Sequence, residues 1–175
     1  MSNETGKDLR TAKLRSLVIN ILIFVAIIAG VRMWQHRDMV SGTAPDLRGV
    51  MLSGQRYTLP THPAHPVLVH FWATWCPICR AEQGSIAALA HDDPDVITVA
   101  MQSGKNEEIT RFMHEQGIEF PVVNDADGSI SNAWGVHGVP ASFIIAPDGN
   151  IRFIEVGYTT GMGLRLRLWL AGIAW

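Results

Sequence analysis

Val67-Leu68-Val69-His70-Phe71-Trp72-Ala73-Thr74-Trp75-Cys76-Pro77-Ile78-Cys79-Arg80-Ala81-Glu82 decides the fold. The apolar run from Val67 to Trp72, broken only by His70, has the pattern of a strand buried on both faces. Pro77, directly after Cys76, suits the first position of a helix, where its missing N–H costs nothing. The two cysteines therefore sit where a central strand hands over to a helix. At a helix N-terminus, unpaired backbone N–H groups and the positive end of the dipole stabilise a thiolate. Cys76 is thus expected to titrate below the free value of about 8.5 and to act as the nucleophile. Cys79 lies about one helical turn further on, close enough to close a disulfide. It is expected to be the less exposed of the two, which suits a resolving thiol.

Other chemistries also use paired cysteines. Zinc commonly takes four ligands, and the chain has no third cysteine, so no structural metal site is expected. Cuprous ion accepts fewer and softer ligands, so a copper-binding module stays open as an alternative. His62 and His65 stand among Thr61, Pro63 and Pro66 and read as part of a solvated loop. Met101 and Met113 fall on the apolar pattern of their elements and read as core. No cofactor is expected beyond a redox-active Cys76–Cys79 disulfide.

With 175 residues, a formal charge of −2 and 47% hydrophobic residues, one domain with a substantial core is expected. No Lys/Arg cluster suggests a phosphate-binding face, which argues against nucleic acid and leaves proteins as the expected partners. Residues 1–15 are polar and carry Lys7, Arg10, Lys13 and Arg15, and Ser16 to Val31 has no charge. As a helix that run covers about 24 Å against a hydrocarbon core of ~30 Å, and Arg15 and Arg32 can snorkel while Trp34 sits at the interface. We expect a cytoplasmic tail over 1–15, an uncleaved transmembrane anchor over 16–34, a linker over 35–44 and a catalytic domain over 45–175. The basic start places that domain across the membrane. A cleaved signal peptide is the alternative, and Ile27-Ile28-Ala29 makes a poor cleavage site for it.

Downstream, Val50-Met51-Leu52 and Arg56-Tyr57-Thr58-Leu59 read as a hairpin turning at Ser53-Gly54. Asp95 to Met101 reads as a second buried strand. Ile109, Phe112 and Met113 mark an amphipathic helix opened by Ser103 and closed by Gly117. Pro121-Val122-Val123 is a short strand, and a loop with a short helix is expected from Asp125 to Trp134. Ala141 to Ala146 and Ile151 to Val156 pair through the turn Pro147-Asp148-Gly149-Asn150. Leu164 to Leu170 alternates like a strand, yet Leu164, Leu168 and Ala171 keep helical spacing, and Thr160 can cap a helix there. A helix is expected.

The run Phe71 to Cys79, with Arg80 and Glu82 behind it and Gly138-Val139-Pro140 preceding Ala141 to Ile145, resembles the TlpA-like membrane-anchored thioredoxins. Within that family it is most similar to the suppressor-of-copper-sensitivity D proteins. The resemblance covers about Ala44 to the C-terminus. It implies an α/β thioredoxin-like three-layer fold: a mixed central sheet with helices on both faces, an N-terminal β-hairpin, and one transmembrane helix ahead of it. It further implies a thiol-disulfide oxidoreductase that reduces protein disulfides, draws electrons from a transmembrane donor and has a link to copper tolerance. Direct cuprous-ion handling and reduction of apocytochrome in cytochrome c maturation stand as alternatives. A peroxiredoxin would carry threonine at Ala73.

Carried over residue by residue, the resemblance makes Cys76 the site of the mixed disulfide and Cys79 the thiol that resolves it. Pro140 is expected to be cis against the disulfide, and the backbone at Val139 to pair with substrate. Trp75, with Pro77 and Ile78, shapes the protein-binding surface, although a partly buried core tryptophan is its plain alternative. Glu82 matches a glutamate that tunes the cysteines' protonation, against an exposed helix carboxylate. His70 departs from the pattern, standing where thioredoxins carry a buried aspartate and many TlpA-like proteins an asparagine. There it would lie beneath Cys79 and help remove its proton, with a pKa lowered by burial. The alternative is a core histidine hydrogen-bonded to backbone.

Overall fold

The computed structural model describes residues 39–173 except position 94, together with residues 19–21, 23, 24, 27 and 30. The expected tail over 1–15 and most of the anchor over 16–34 lie outside the described residues; those described between 19 and 30 are helical. Among the described residues no helix is long and apolar enough to cross a membrane. Met39–Trp175 forms one compact unit.

In chain order that unit contains β1 (Gly42–Thr43), β2 (Arg48–Val50), β3 (Arg56–Thr58), β4 (Val67–Trp72), α1 (Pro77–Asp92), β5 (Val96–Met101), α2 (Asn106–Gln116), β6 (Val122–Asp125), α3 (Ser129–Ala133), β7 (Ala141–Ile145), β8 (Asn150–Val156) and α4 (Gly161–Ile173). Six strands form one sheet in the order β1-β8-β7-β4-β5-β6, and β2 and β3 form a separate hairpin. β4, β5 and β6 run parallel, joined by the helical crossovers α1 and α2, whereas β7, β8 and β1 add antiparallel. This is the expected mixed sheet.

Strand alternation sorts the core into two layers. From β4, Leu68 and Trp72 face a cluster with Cys79, Ile86 and Leu89 of α1, Ile109 and Met113 of α2, and Leu164, Leu168 and Ala171 of α4. Val67, Val69 and Phe71 face the opposite layer with Leu47, Leu59, Trp134 and Phe143. There Phe71, Trp134 and Phe143 pack with ring centroids 5.0 to 5.6 Å apart. Helices cover both faces, since α3 adjoins Trp134. The last element is a helix because its apolar residues at 164, 168 and 171 reach α1 and β7, and the Thr160 hydroxyl accepts the Gly163 N–H at 3.2 Å.

Three local expectations are corrected. Gly42–Thr43, read as linker, pairs with Ile151 and Asn150 as an edge strand. The first hairpin strand is Arg48–Val50, because Met51 and Leu52 leave the hairpin to bridge Val123 and to donate to the Val122 carbonyl, covering the free edge of β6. Ser103 does not cap α2; the Glu108 carboxylate accepts the Lys105 N–H at 2.8 Å instead. Ser103 Oγ accepts the Thr74 N–H at 3.1 Å and donates to the Met101 carbonyl, tying down the loop before Cys76.

Asp125 ends β6 and starts α3. Its buried carboxylate accepts the N–H groups of Ile130 and Ser131 at 2.9 and 2.8 Å and the Ser131 hydroxyl at 2.6 Å. Asp125→Ala orphans all three donors and should lower stability by about 2 kcal/mol in urea unfolding, with Asp125→Asn losing less.

Candidate active site

Because β4 is buried on both faces and turns directly into α1, the first backbone groups of that helix open where the sheet ends. Cys76 occupies the N-cap with extended backbone, and the Cys79 N–H points at Cys76 Sγ from 3.1 Å. No carboxylate lies in the first turn of α1, so nothing there opposes the dipole in favouring sulfur anion. Cys76 and Cys79 are joined as a disulfide, with Cα atoms 5.3 Å apart. Each is 3% exposed, so burial does not make Cys79 the more hidden of the two, as the sequence pattern suggested. Position on the helix, N-cap against interior, is what distinguishes them.

The loop ahead of Cys76 is held at several points. The Arg80 guanidinium donates to the Thr74 carbonyl at 3.0 Å and lies over the Phe112 ring. The Trp75 indole donates to the Gln102 carbonyl at 3.2 Å; Gln102 has a φ of 43°, a left-handed conformation that a glutamine seldom adopts. The indole body stays 54% exposed and Ile78 50%, so Trp75 is no core tryptophan. With exposed Pro77 they form an apolar rim beside the disulfide. Across it, Val139–Pro140 is a cis peptide, Pro140 is buried, and the Val139 carbonyl oxygen lies 3.5 Å from Cys76 Sγ. β7 brings it there because it pairs beside β4.

Beneath the site the structure joins His70 and Glu82, which sequence reading treated one by one. Cys79 and Glu82 are three residues apart on the inner face of α1, and alternation along β4 turns His70 to the same layer. His70 Nδ1 lies 2.9 Å from Ser142 Oγ, and Nε2 lies 3.5 Å from Glu82 Oε1. Glu82 Oε2 accepts the Thr159 N–H at 2.9 Å, while Oε1 is buried and makes no hydrogen bond, with His70 Nε2 standing 3.5 Å away. Glu82 is thus 1% exposed, not a surface carboxylate, and His70 bonds side chains, not backbone.

Burial lowers the His70 pKa to about 3 and raises that of Glu82 to about 7, the latter in spite of the Thr159 N–H, which pulls it down. Both shifts oppose charge, so the pair is neutral between about pH 3 and 7 and not an ion pair. Ser142 carried no signal in the sequence; it stands opposite His70 on the neighbouring strand. Among the described residues no group of three or more His, Cys, Asp or Glu could hold a metal ion, and His62 and His65 are exposed.

The model of the AhpC/TSA family matches residues 40–154. The chain is 27% identical over 157 residues to a thioredoxin-like protein of Haemophilus influenzae, covering 89% of this chain and 91% of that one. It is 29% identical over 162 residues to the thiol:disulfide interchange protein DsbE of Escherichia coli, covering 83% and 86%. A secreted Mycobacterium tuberculosis disulfide oxidoreductase homologous to E. coli DsbE has a similar structure, with a TM-score of 0.60, 26% identity and coverage of 71% and 95%. With its paired cysteines at the start of α1, the chain belongs to the AhpC/TSA family and is a thiol-disulfide oxidoreductase of thioredoxin-like fold.

Proposed function

We propose that the protein is a membrane-tethered reductant of protein disulfides in the periplasm. It is anchored through residues 16–34 and re-reduced by a transmembrane electron donor. The observation that carries the reading is the Cys76 sulfur at the N-cap of α1, 3.1 Å from the Cys79 N–H and facing the Val139 carbonyl. In the reduced enzyme the helix N-terminus holds Cys76 as thiolate. This attacks a substrate disulfide, expelling one substrate sulfur as thiolate and forming a mixed disulfide. Cys79, losing its proton, then attacks Cys76 Sγ; the internal disulfide forms and the second substrate thiol leaves. The exposed rim of Trp75, Pro77 and Ile78 supports a protein substrate, whose backbone would lie along Val139 and Pro140. The uncharged run behind a basic start supports the tether.

In this mechanism Glu82, positioned by His70, takes the proton from Cys79. The Glu82 carboxyl, with a pKa of about 7, is an acceptor once ionised, and neutral His70 holds it in place. Resolution should therefore accelerate as pH rises through about 7. Glu82→Gln should remove that limb, and His70→Asn should slow release of the mixed disulfide by about 10-fold, the low end of general-base effects. Stopped-flow measurement of the resolution step from pH 5 to 9 checks both; equal rates in all three proteins would reduce the pair to packing.

Two experiments test the function itself. Cys79→Ser should trap substrate disulfides on Cys76, whereas Cys76→Ser should accumulate none; the opposite result reverses the roles. Equilibration with glutathione should give a potential below about −200 mV, and a value near −120 mV would make the protein an oxidant instead.

The same two shifts set a stability profile. Glu82, raised from 4.5 to about 7, contributes stability that is present below pH 4.5 and lost as pH rises through 7. His70, lowered from 6.5 to about 3, contributes stability that is present above pH 6.5 and lost as pH falls through 3. Between about pH 4.5 and 6.5 the two slopes oppose each other. Urea unfolding should show the pair's contribution nearly flat there, and Glu82→Gln should leave a stability that climbs with pH across that window.

A further inference from the structure

Four polar side chains stand in one row across the face of the sheet that α1 and α4 cover. Thr98 of β5 is the register neighbour of His70, His70 of Ser142 on β7, and Ser142 of Glu155 on β8. Their neighbours two positions along, Leu68, Trp72, Ala100 and Ile144, belong to the apolar core. At one end Thr98 Oγ1 accepts the Trp72 indole N–H at 3.1 Å and donates to the Pro121 carbonyl at 2.8 Å. At the other, Glu155 is paired with Arg167 of α4 at 2.6 Å and is partly exposed. In the middle, buried, His70 Nδ1 meets Ser142 Oγ at 2.9 Å.

We propose that Ser142 is a positioning residue. Its hydroxyl satisfies Nδ1 of a neutral His70 in either tautomer, so that Nε2 faces Glu82 as acceptor when Glu82 is protonated and as donor when it is ionised. The inference deepens the reading that Glu82 and His70 serve Cys79, and rests on it.

The geometry leaves one oxygen for the task. Glu82 Oε2 is held by the Thr159 N–H, so Oε1, 3.5 Å from Nε2, is the oxygen that gains and loses the proton. With the carboxyl protonated, Oε1–H donates to Nε2 and Nδ1–H donates to Ser142 Oγ. With the carboxylate, Nε2–H donates to Oε1 and the Ser142 O–H donates to Nδ1. The two states differ by one proton, and neither puts charge on the buried imidazole. Alanine at 142 breaks the symmetry. The first state then buries an unpaired N–H, a rarer and costlier defect than an unused lone pair. His70 is left in its Nε2–H form, which favours the Glu82 carboxylate. Beside this pair stand Cys79, three residues before Glu82 on α1 and held in the disulfide, and, one register position beyond Ser142, Glu155 of β8 paired with Arg167 of α4.

The test is an NMR titration from pH 4 to 9 of the oxidised full chain labelled with ¹⁵N-histidine and ¹³C-glutamate, a readout that needs no substrate. In the wild type His70 should pass from the Nδ1–H to the Nε2–H tautomer with the same midpoint as Glu82. Ser142→Ala should hold His70 as Nε2–H throughout and lower the Glu82 midpoint by about one unit, the scale of a buried hydrogen bond left unmade. Ser142→Thr should restore both. An unchanged switch and midpoint in Ser142→Ala overturns the inference even where disulfide exchange is normal. Normal resolution rates in Glu82→Gln and His70→Asn overturn instead the reading beneath it. If alanine unfolds the chain, the wild type decides alone: a single His70 tautomer across the range refutes the switch.

Discussion

The passage from β4 into α1 is the constraint on which the rest of the structure depends. A strand buried on both faces must end where the sheet ends, and a helix that starts at once leaves its first N–H groups without intrahelical partners. Here a sulfur meets one of them, the Cys79 N–H at 3.1 Å from Cys76 Sγ. Everything nearby fixes that junction: Ser103 on the Thr74 N–H, Arg80 on the Thr74 carbonyl, and Gln102 on the Trp75 indole. β7, as the antiparallel neighbour of β4, carries Val139 and Pro140 to the same sulfur.

The second constraint is electrostatic. The layer between sheet and helices is apolar, and it contains a glutamate that would be charged at neutral pH in water, and a histidine that would be partly so, if their pKa values were ordinary. Burial pushes both toward the uncharged form, in opposite directions on the pH scale. The neutral pair survives there because hydrogen-bond partners surround it: Ser142 on Nδ1 and the Thr159 N–H on Oε2. Perturbed titratable groups gather at functional sites for this reason, since a carboxyl with a pKa of about 7 can exchange its proton at working pH.

Much of this was legible in the residues. The apolar run Val67 to Trp72, the Cys-Pro junction and the glycine closing α2 at 117, with its φ of 62°, each declare their element through a local rule. The C-terminal segment was ambiguous between strand and helix, and packing against α1 and β7 resolved it. Ser103 misled because a serine before a helix is a standard cap, and its hydroxyl was engaged by a loop 29 residues earlier in the chain.

The sequence by itself determined which residue types meet at the strand-to-helix junction, because periodicity, proline and cysteine spacing act over a few residues. Tertiary structure alone decided that His70, Glu82 and Ser142 form one unit. They come from β4, α1 and β7, separated by up to 72 residues, and meet only through strand register and helix docking. Their protonation is decided at the same level, since desolvation depends on what covers a side chain and not on what precedes it in the chain.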